Sequence, residues 1–205
     1  MAKKAPKNAT LKEKDQKSSF AVSLIDYFEI FVFAVALVMI LLTFCVRLCV
    51  VDGPSMNNTL QHGEKILVSD LFYTPKQGDI IVFHHTSDTV DQFNKPIVKR
   101  VIAVGGQHVR IDYIENRVYV SDDAVFEEHE IIDESSYAYF HNGGWKEAGF
   151  LHESDVFEVP EGKLFVLGDN RNNSADSRNS AIGMIDERTV LGRAILRIAP
   201  FTRFQ

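Results

Sequence analysis

From Ile30 to Val46 the chain runs for seventeen residues without a charge, and after Arg47 the apolar run resumes from Leu48 to Val51. A helix crosses the hydrocarbon layer with roughly 20 apolar residues, about 17 being the lower limit. The pattern therefore predicts an N-terminal transmembrane helix within an anchor segment, residues 20–51, with Arg47 near its end extending a guanidinium to the interface. A cleaved leader fits less well, because its apolar core is typically about 7–15 residues and is followed by small residues at a cleavage site. Past Gly53 the pattern breaks into short β-rich runs at residues 65–69, 78–83, 97–104, 108–111, 117–120, 163–167 and 191–198. Turn residues punctuate them at Pro75 to Gly78, Gly105-Gly106, Glu115-Asn116 and Pro160-Glu161-Gly162. The expected fold class is mainly β, with an all-β body over residues 52–205. Residues 121–157 are acidic and aromatic and lack clean alternation, so they read as an inserted lobe.

Charge adds a direction to this layout. The net charge of −6 hides a tail in which residues 1–17 carry six lysines against Glu13 and Asp15, leaving about −10 on the rest. Lysines ahead of a span predict a cytoplasmic tail, residues 1–19, and a body on the outer side of the cell membrane, crossed once. An acidic body without a basic cluster would repel a phosphate backbone, which argues against nucleic acid as a partner. Cys45 and Cys49 both fall in the apolar stretch, so the body needs no disulfide; packing against lipid is their plain role, and lipidation the alternative.

Three polar features stand out against the apolar pattern. Ser55 sits in Gly53-Pro54-Ser55-Met56, a rigid turn flanked by apolar Met56 and Leu60. Lys99 and Arg100 interrupt a strand that is apolar on both faces, Lys99 sharing one face with Ile97, Val101 and Ala103. Arginine stays charged in a protein, whereas desolvation lowers a lysine by up to roughly 3–5 pKa units, so only Lys99 could become a base. The third feature is a dense polar loop from Gly168 to Arg178, directly after an apolar strand. Read alone, each admits a plainer role: a turn-forming serine, a lysine paired with a carboxylate at a sheet edge, a solvated loop. His84 and His85 are adjacent on a strand and point to opposite faces, which suits surface or core roles better than shared metal coordination, a Ser–His–Asp site using either being the alternative; no metal and no cofactor is implied.

Taken together, and in this order, the motifs resemble those of the bacterial type I signal peptidases, Ser–Lys proteases that release exported proteins from their leader sequences. The resemblance covers about Phe31 to Phe201 and rests on Gly53-Pro54-Ser55-Met56 with Thr59-Leu60, Gly78 to Phe83, Lys99-Arg100-Val101 with Gly105-Gly106, and Gly168 to Arg178. It implies an all-β signal-peptidase body in which Ser55 is the nucleophile, its amide part of the oxyanion hole, and Lys99 the general base. Ser174 matches the hydroxyl that orients the lysine, and Asp176 and Arg178 match a pair that holds the loop. Substrate would bind as an extended strand between Pro96, Ile97 and Val98 and the segment Asp52, Gly53 and Pro54, with Met56 and Leu60 beside it, and be cut after Ala-X-Ala-like sites. The implied partners are preproteins bearing signal peptides and the lipid bilayer, with the protein export machinery a further candidate. Two departures matter: Asn58 stands where family members often have proline, and Gly53 where some carry a serine that donates a second oxyanion hydrogen bond. Two rivals share part of the pattern: a self-cleaving Ser–Lys protease of the repressor type, which would carry a DNA-binding domain, and an inactive, membrane-tethered module that captures extended peptides.

Overall fold

The computed structural model describes residues 25–40, 46–85, 95–140, 143–145, 154–199 and 202–203. The basic tail and parts of the expected anchor lie outside the described residues. The chain divides into two units, Met1–Cys45 and Val46–Gln205. In the first, residues 25–40 form helix α1, every residue of which is exposed, Phe31 and Phe33 included. Among the described residues no helix is long and apolar enough to cross a membrane.

The second unit is mainly β. Its described strands are β1 (Arg47–Val50), β2 (Lys65–Ser69), β3 (Ile80–His84), β4 (Pro96–Val104), β5 (His108–Asp112), β6 (Arg117–Ser121), β7 (Ser154–Glu158), β8 (Lys163–Leu167), β9 (Ile185–Asp186), β10 (Val190–Ala199) and β11 (Thr202–Arg203). Antiparallel pairing builds an eight-stranded sheet, β1-β2-β10-β3-β4-β8-β9 with β11 on β10, and a three-stranded sheet, β6-β5-β7. Strand β4 is paired unevenly along its two edges. Its first half, Pro96 to Arg100, pairs with β3, whereas β8 joins its other edge only from Arg100 onward. From Pro96 to Lys99 that second edge carries no strand among the described residues.

Apolar alternation explains the layers. On one face of the large sheet Ile81, Phe83, Val101, Leu164 and Val166 are buried together; on the other, Ile80 and Val82 pack with Ile66, Val68, Met56 and Leu60. A third cluster joins Ile102 and Phe165 to the small sheet through Val109, Ile111 and Trp145. Fully burying an aliphatic or aromatic side chain of this size contributes roughly 1.5–3 kcal/mol.

One expectation is corrected. Residues 47–50 do not prolong a helix; they form edge strand β1, with Arg47 opposite Val68 and Val50 opposite Lys65. Four apolar residues carry no periodicity that separates helix from strand, and a partner edge offering hydrogen bonds decides between them. Arg47 accordingly lies 3.7 Å from Asp70. Residues 121–157, expected as an inserted lobe, end in regular structure. Their last residues enter β7, which pairs with β5 along its length. The inward positions of β7 are Asp155 and Phe157, and Asp155 is turned inward to accept a hydrogen bond from the Tyr113 hydroxyl at 2.8 Å. A carboxylate on the inner face hides the alternation from a sequence reading.

Candidate active site

The turn that carries Ser55 is held from below by apolar side chains. Met56 and Leu60 are buried against the β2 and β3 side chains, and the turn closes through Asn57 N–H to Pro54 O at 3.1 Å and Leu60 N–H to Met56 O at 2.8 Å. Leu60 is thus a core anchor that does not line the cleft, a correction to its expected contact with substrate. Ser55 itself stays half-buried.

Lys99 comes from the middle of β4, with Ile81 directly opposite on β3 and Ile97 and Val101 on its own face. It is 3 % exposed. Its Nζ lies 2.8 Å from Ser55 Oγ and donates to the Val98 carbonyl at 2.9 Å. Burial disfavours the ammonium and pushes its pKa down to about 8, although Asp176 and Asp169 pull the other way. At pH 7 that leaves about one amine in ten uncharged, some 300-fold more than for a free lysine. A hydroxyl within reach of a partly neutral amine is the geometry of an activated nucleophile.

Arg100, one residue on, points to the opposite face. Its guanidinium grips Asp169 with two hydrogen bonds of 2.8 and 2.7 Å and also donates to Gly78 O. The two cations therefore divide the work by the period of the strand: one desolvated beside the hydroxyl, the other pinning the polar loop to the sheet.

That loop, residues 168–178, is clamped to the serine turn from several directions. Asn170 donates its backbone N–H to Ser55 O at 3.0 Å and its side-chain amide to Pro54 O at 3.1 Å. Gly168 N–H donates to Asp176, which Arg178 grips through Nε and Nη2 at 2.8 and 2.9 Å. Burial alone would raise the Asp176 carboxyl, but Arg178 and these hydrogen bonds more than offset it and hold it below the usual range. Ser174, expected to orient Lys99, makes no hydrogen bond to the amine, which donates to the Val98 carbonyl instead; its buried hydroxyl lies on the Asp176 side and helps to lower that carboxyl.

Gly168 is where the packing is tightest. A Cβ on it would fall 2.5 Å from the Ser55 carbonyl oxygen and closer still to Ser174 Oγ. Gly168→Ala is therefore expected to displace the turn that carries Ser55, and a shift near 1 Å in a reacting group costs about 100-fold in rate. Turnover measured beside the thermal midpoint checks this: a variant of native stability and native kcat would contradict it.

A cleft of about 350 Å³ lies over the pair. Asp52, Gly53, Pro54 and Met56 line one wall, Pro96, Ile97 and Val98 the other, with Asn173, Ala175 and Ile182 between. A pocket of similar size on the Arg100 side lacks any such pair; its arginines are matched with Asp169, Asp79 and Glu64.

Sequence reasoning missed the support behind the loop. Glu134 forms a double ion pair with the fully buried Arg171. Tyr139 exchanges backbone hydrogen bonds with Asp169 and Arg171, and Trp145 Nε1 donates to Arg171 O at 3.2 Å. The only signal in the sequence was an unassigned aromatic cluster. Asn170, which holds both carbonyls around Ser55, was visible only as one amide among several in a polar loop.

The chain matches the family described as "Signal peptidase, peptidase S26" over residues 24–199. It is similar to a probable signal peptidase I-1 of Synechocystis, with 30% identity over 83% of this chain and 80% of the relative. It is also similar to signal peptidase IB of Staphylococcus aureus, with 32% identity over 84% of this chain and 88% of the relative. Among solved structures, a signal peptidase I from Enterococcus faecalis aligns at 24% identity and a TM-score of 0.36, covering 59% of this chain and 97% of that one.

Proposed function

Since the chain belongs to the signal peptidase family of S26 peptidases, we propose that Ser55 is the nucleophile and Lys99 the general base with which it cleaves signal peptides from preproteins. The observation that carries the assignment is the 2.8 Å separation of Lys99 Nζ and Ser55 Oγ inside a cleft that buries the amine. Neutral Lys99 takes the Ser55 proton as Oγ attacks the scissile carbonyl, and passes it to the departing amine. Water then attacks the acyl-enzyme by the same route, releasing the acid and the serine. Asn170 fixes the Ser55 backbone, so the Ser55 amide can meet the developing oxyanion. The open edge of β4 from Pro96 to Lys99 supports binding of the substrate as an added strand. An inactive peptide-binding module is not favoured by the family membership, nor does a binder need a desolvated amine beside a hydroxyl.

The anchor belongs to the same proposal. Residues 25–40 are helical with their apolar side chains exposed, and past Asp26 and Glu29 in its first turns the helix is apolar all round, which suits lipid. The charge-free stretch from Ile30 through Val46 and the preceding lysines support one crossing with the N-terminus cytoplasmic, the body outside and lipid as partner. Contact with the export machinery is consistent with that placement. Protease added to intact cells should then digest the body and spare the tail.

The direct test is incubation of the detergent-solubilised protein with a precursor containing an Ala-X-Ala site, followed across pH. Only uncharged Lys99 accepts the proton, so kcat/KM should rise with pH and reach half its plateau near 8, the value set by burial. An ascending limb centred above about 10, as for an unburied lysine, would overturn the assignment of the base.

A further inference from the structure

Asp52 and Lys95 stand at opposite walls of the cleft and meet across it. Lys95 Nζ donates to Asp52 Oδ2 at 2.6 Å, and both side chains line the cleft although they are 43 residues apart. Asp52 lies three residues before Ser55 and Lys95 four before Lys99, so the bridge sits at the upstream end of both walls. His62 lies behind the acid, its Nδ1 3.5 Å from Asp52 Oδ1, but that nitrogen accepts the Gly53 N–H at 3.2 Å and so leaves Lys95 as the cation that pairs with Asp52. Asp52 and Lys95 are 63% and 54% exposed, so water screens the bridge and a peptide can open it.

Granting the peptidase reading above, we propose that Asp52 and Lys95 are specificity-determining residues, a charge-selecting clasp over the substrate residue four positions before the cut, just ahead of the Ala-X-Ala site. An extended peptide on the β4 edge advances about 3.3 Å per residue, which brings that side chain level with the bridge. A neutral residue passes beneath the intact pair. A charged one must compete for a member of the pair and lie against the other, which bears its own sign, so the native clasp disfavours either charge and separates acid from base only weakly.

Reversing one member turns this indifference into a preference. Asp52→Lys leaves two cations and should favour acidic residues over basic ones; Lys95→Asp leaves two anions and should do the opposite. Each shift in the acid-to-base ratio of kcat/KM should be about tenfold at low salt and shrink as salt is added. The double variant Asp52→Lys/Lys95→Asp restores a bridge of reversed polarity and should return the ratio to that of the native protein. The test uses three detergent-presented precursors that differ only in a neutral, acidic or basic residue at that site. Opposite shifts in the single variants with recovery in the double support the clasp. Cleavage of all three precursors with an unchanged ratio in both single variants overturns it and leaves the peptidase reading standing. Failure of the native protein to cut any of them overturns that reading, and the clasp with it.

Discussion

Replacing Lys99 with arginine should abolish turnover, lowering kcat by about 10⁴ or more. The substitution keeps the positive charge and much of the length but removes the titration, because a guanidinium stays protonated throughout the accessible range. It separates two roles for the residue: a lysine that merely held an ion pair would tolerate arginine, whereas one that must accept a proton would not. The surroundings of Lys99 favour the second. It is 3 % exposed among Ile81, Ile97 and Val101, and its Nζ contacts are a hydroxyl and a carbonyl rather than a carboxylate. Ser55→Ala should lose turnover to a similar degree while still retaining precursor in a pull-down, since the open β4 edge is untouched. Substantial cleavage by either variant would remove the Ser–Lys assignment.

Removal of the Glu134 carboxylate should cost more in stability than any surface substitution. Glu134→Ala leaves the Arg171 guanidinium, 0% exposed, without its carboxylate partner. Breaking a buried pair from one side costs about 3–5 kcal/mol, equivalent to a fall of roughly 10 °C in the thermal midpoint for a body of this size. Activity should fall as well, because Arg171 follows Asn170, and Asn170 holds the two carbonyls around the nucleophile. Removing both charges, as in Glu134→Ala/Arg171→Met, should recover much of the lost stability, since no charge is then left buried alone. A midpoint within about 2 °C of native for Glu134→Ala would mean that water reaches the pair, and the buttress would lose its energetic basis.

The division between sequence and structure reflects how far each signal reaches along the chain. Strands β2, β4, β5, β6, β8 and β10 could be read from local runs of apolar residues, because a run of that length states its own period. Strand β1 could not, since four residues state none, and β7 hides its inner face behind Asp155. The candidate pair was legible for a physical reason: a lysine among apolar neighbours on a strand is costly unless something uses it, and the turn and loop motifs supplied the context. What holds the pair in place was not legible. Asn170 and Ser55 are separated by more than a hundred residues, and Glu134 and Arg171 by 37, and no local pattern encodes such hydrogen bonds. The sequence by itself determined the mainly β class, the family, and the residues that stand out as chemistry. Only the tertiary structure decided that Lys99 is dry and 2.8 Å from Ser55 Oγ, that Leu60 is core, and that Asp52 meets Lys95 across the cleft. Desolvation and cross-chain contact depend on which distant segments come together, and those are properties of the assembled fold.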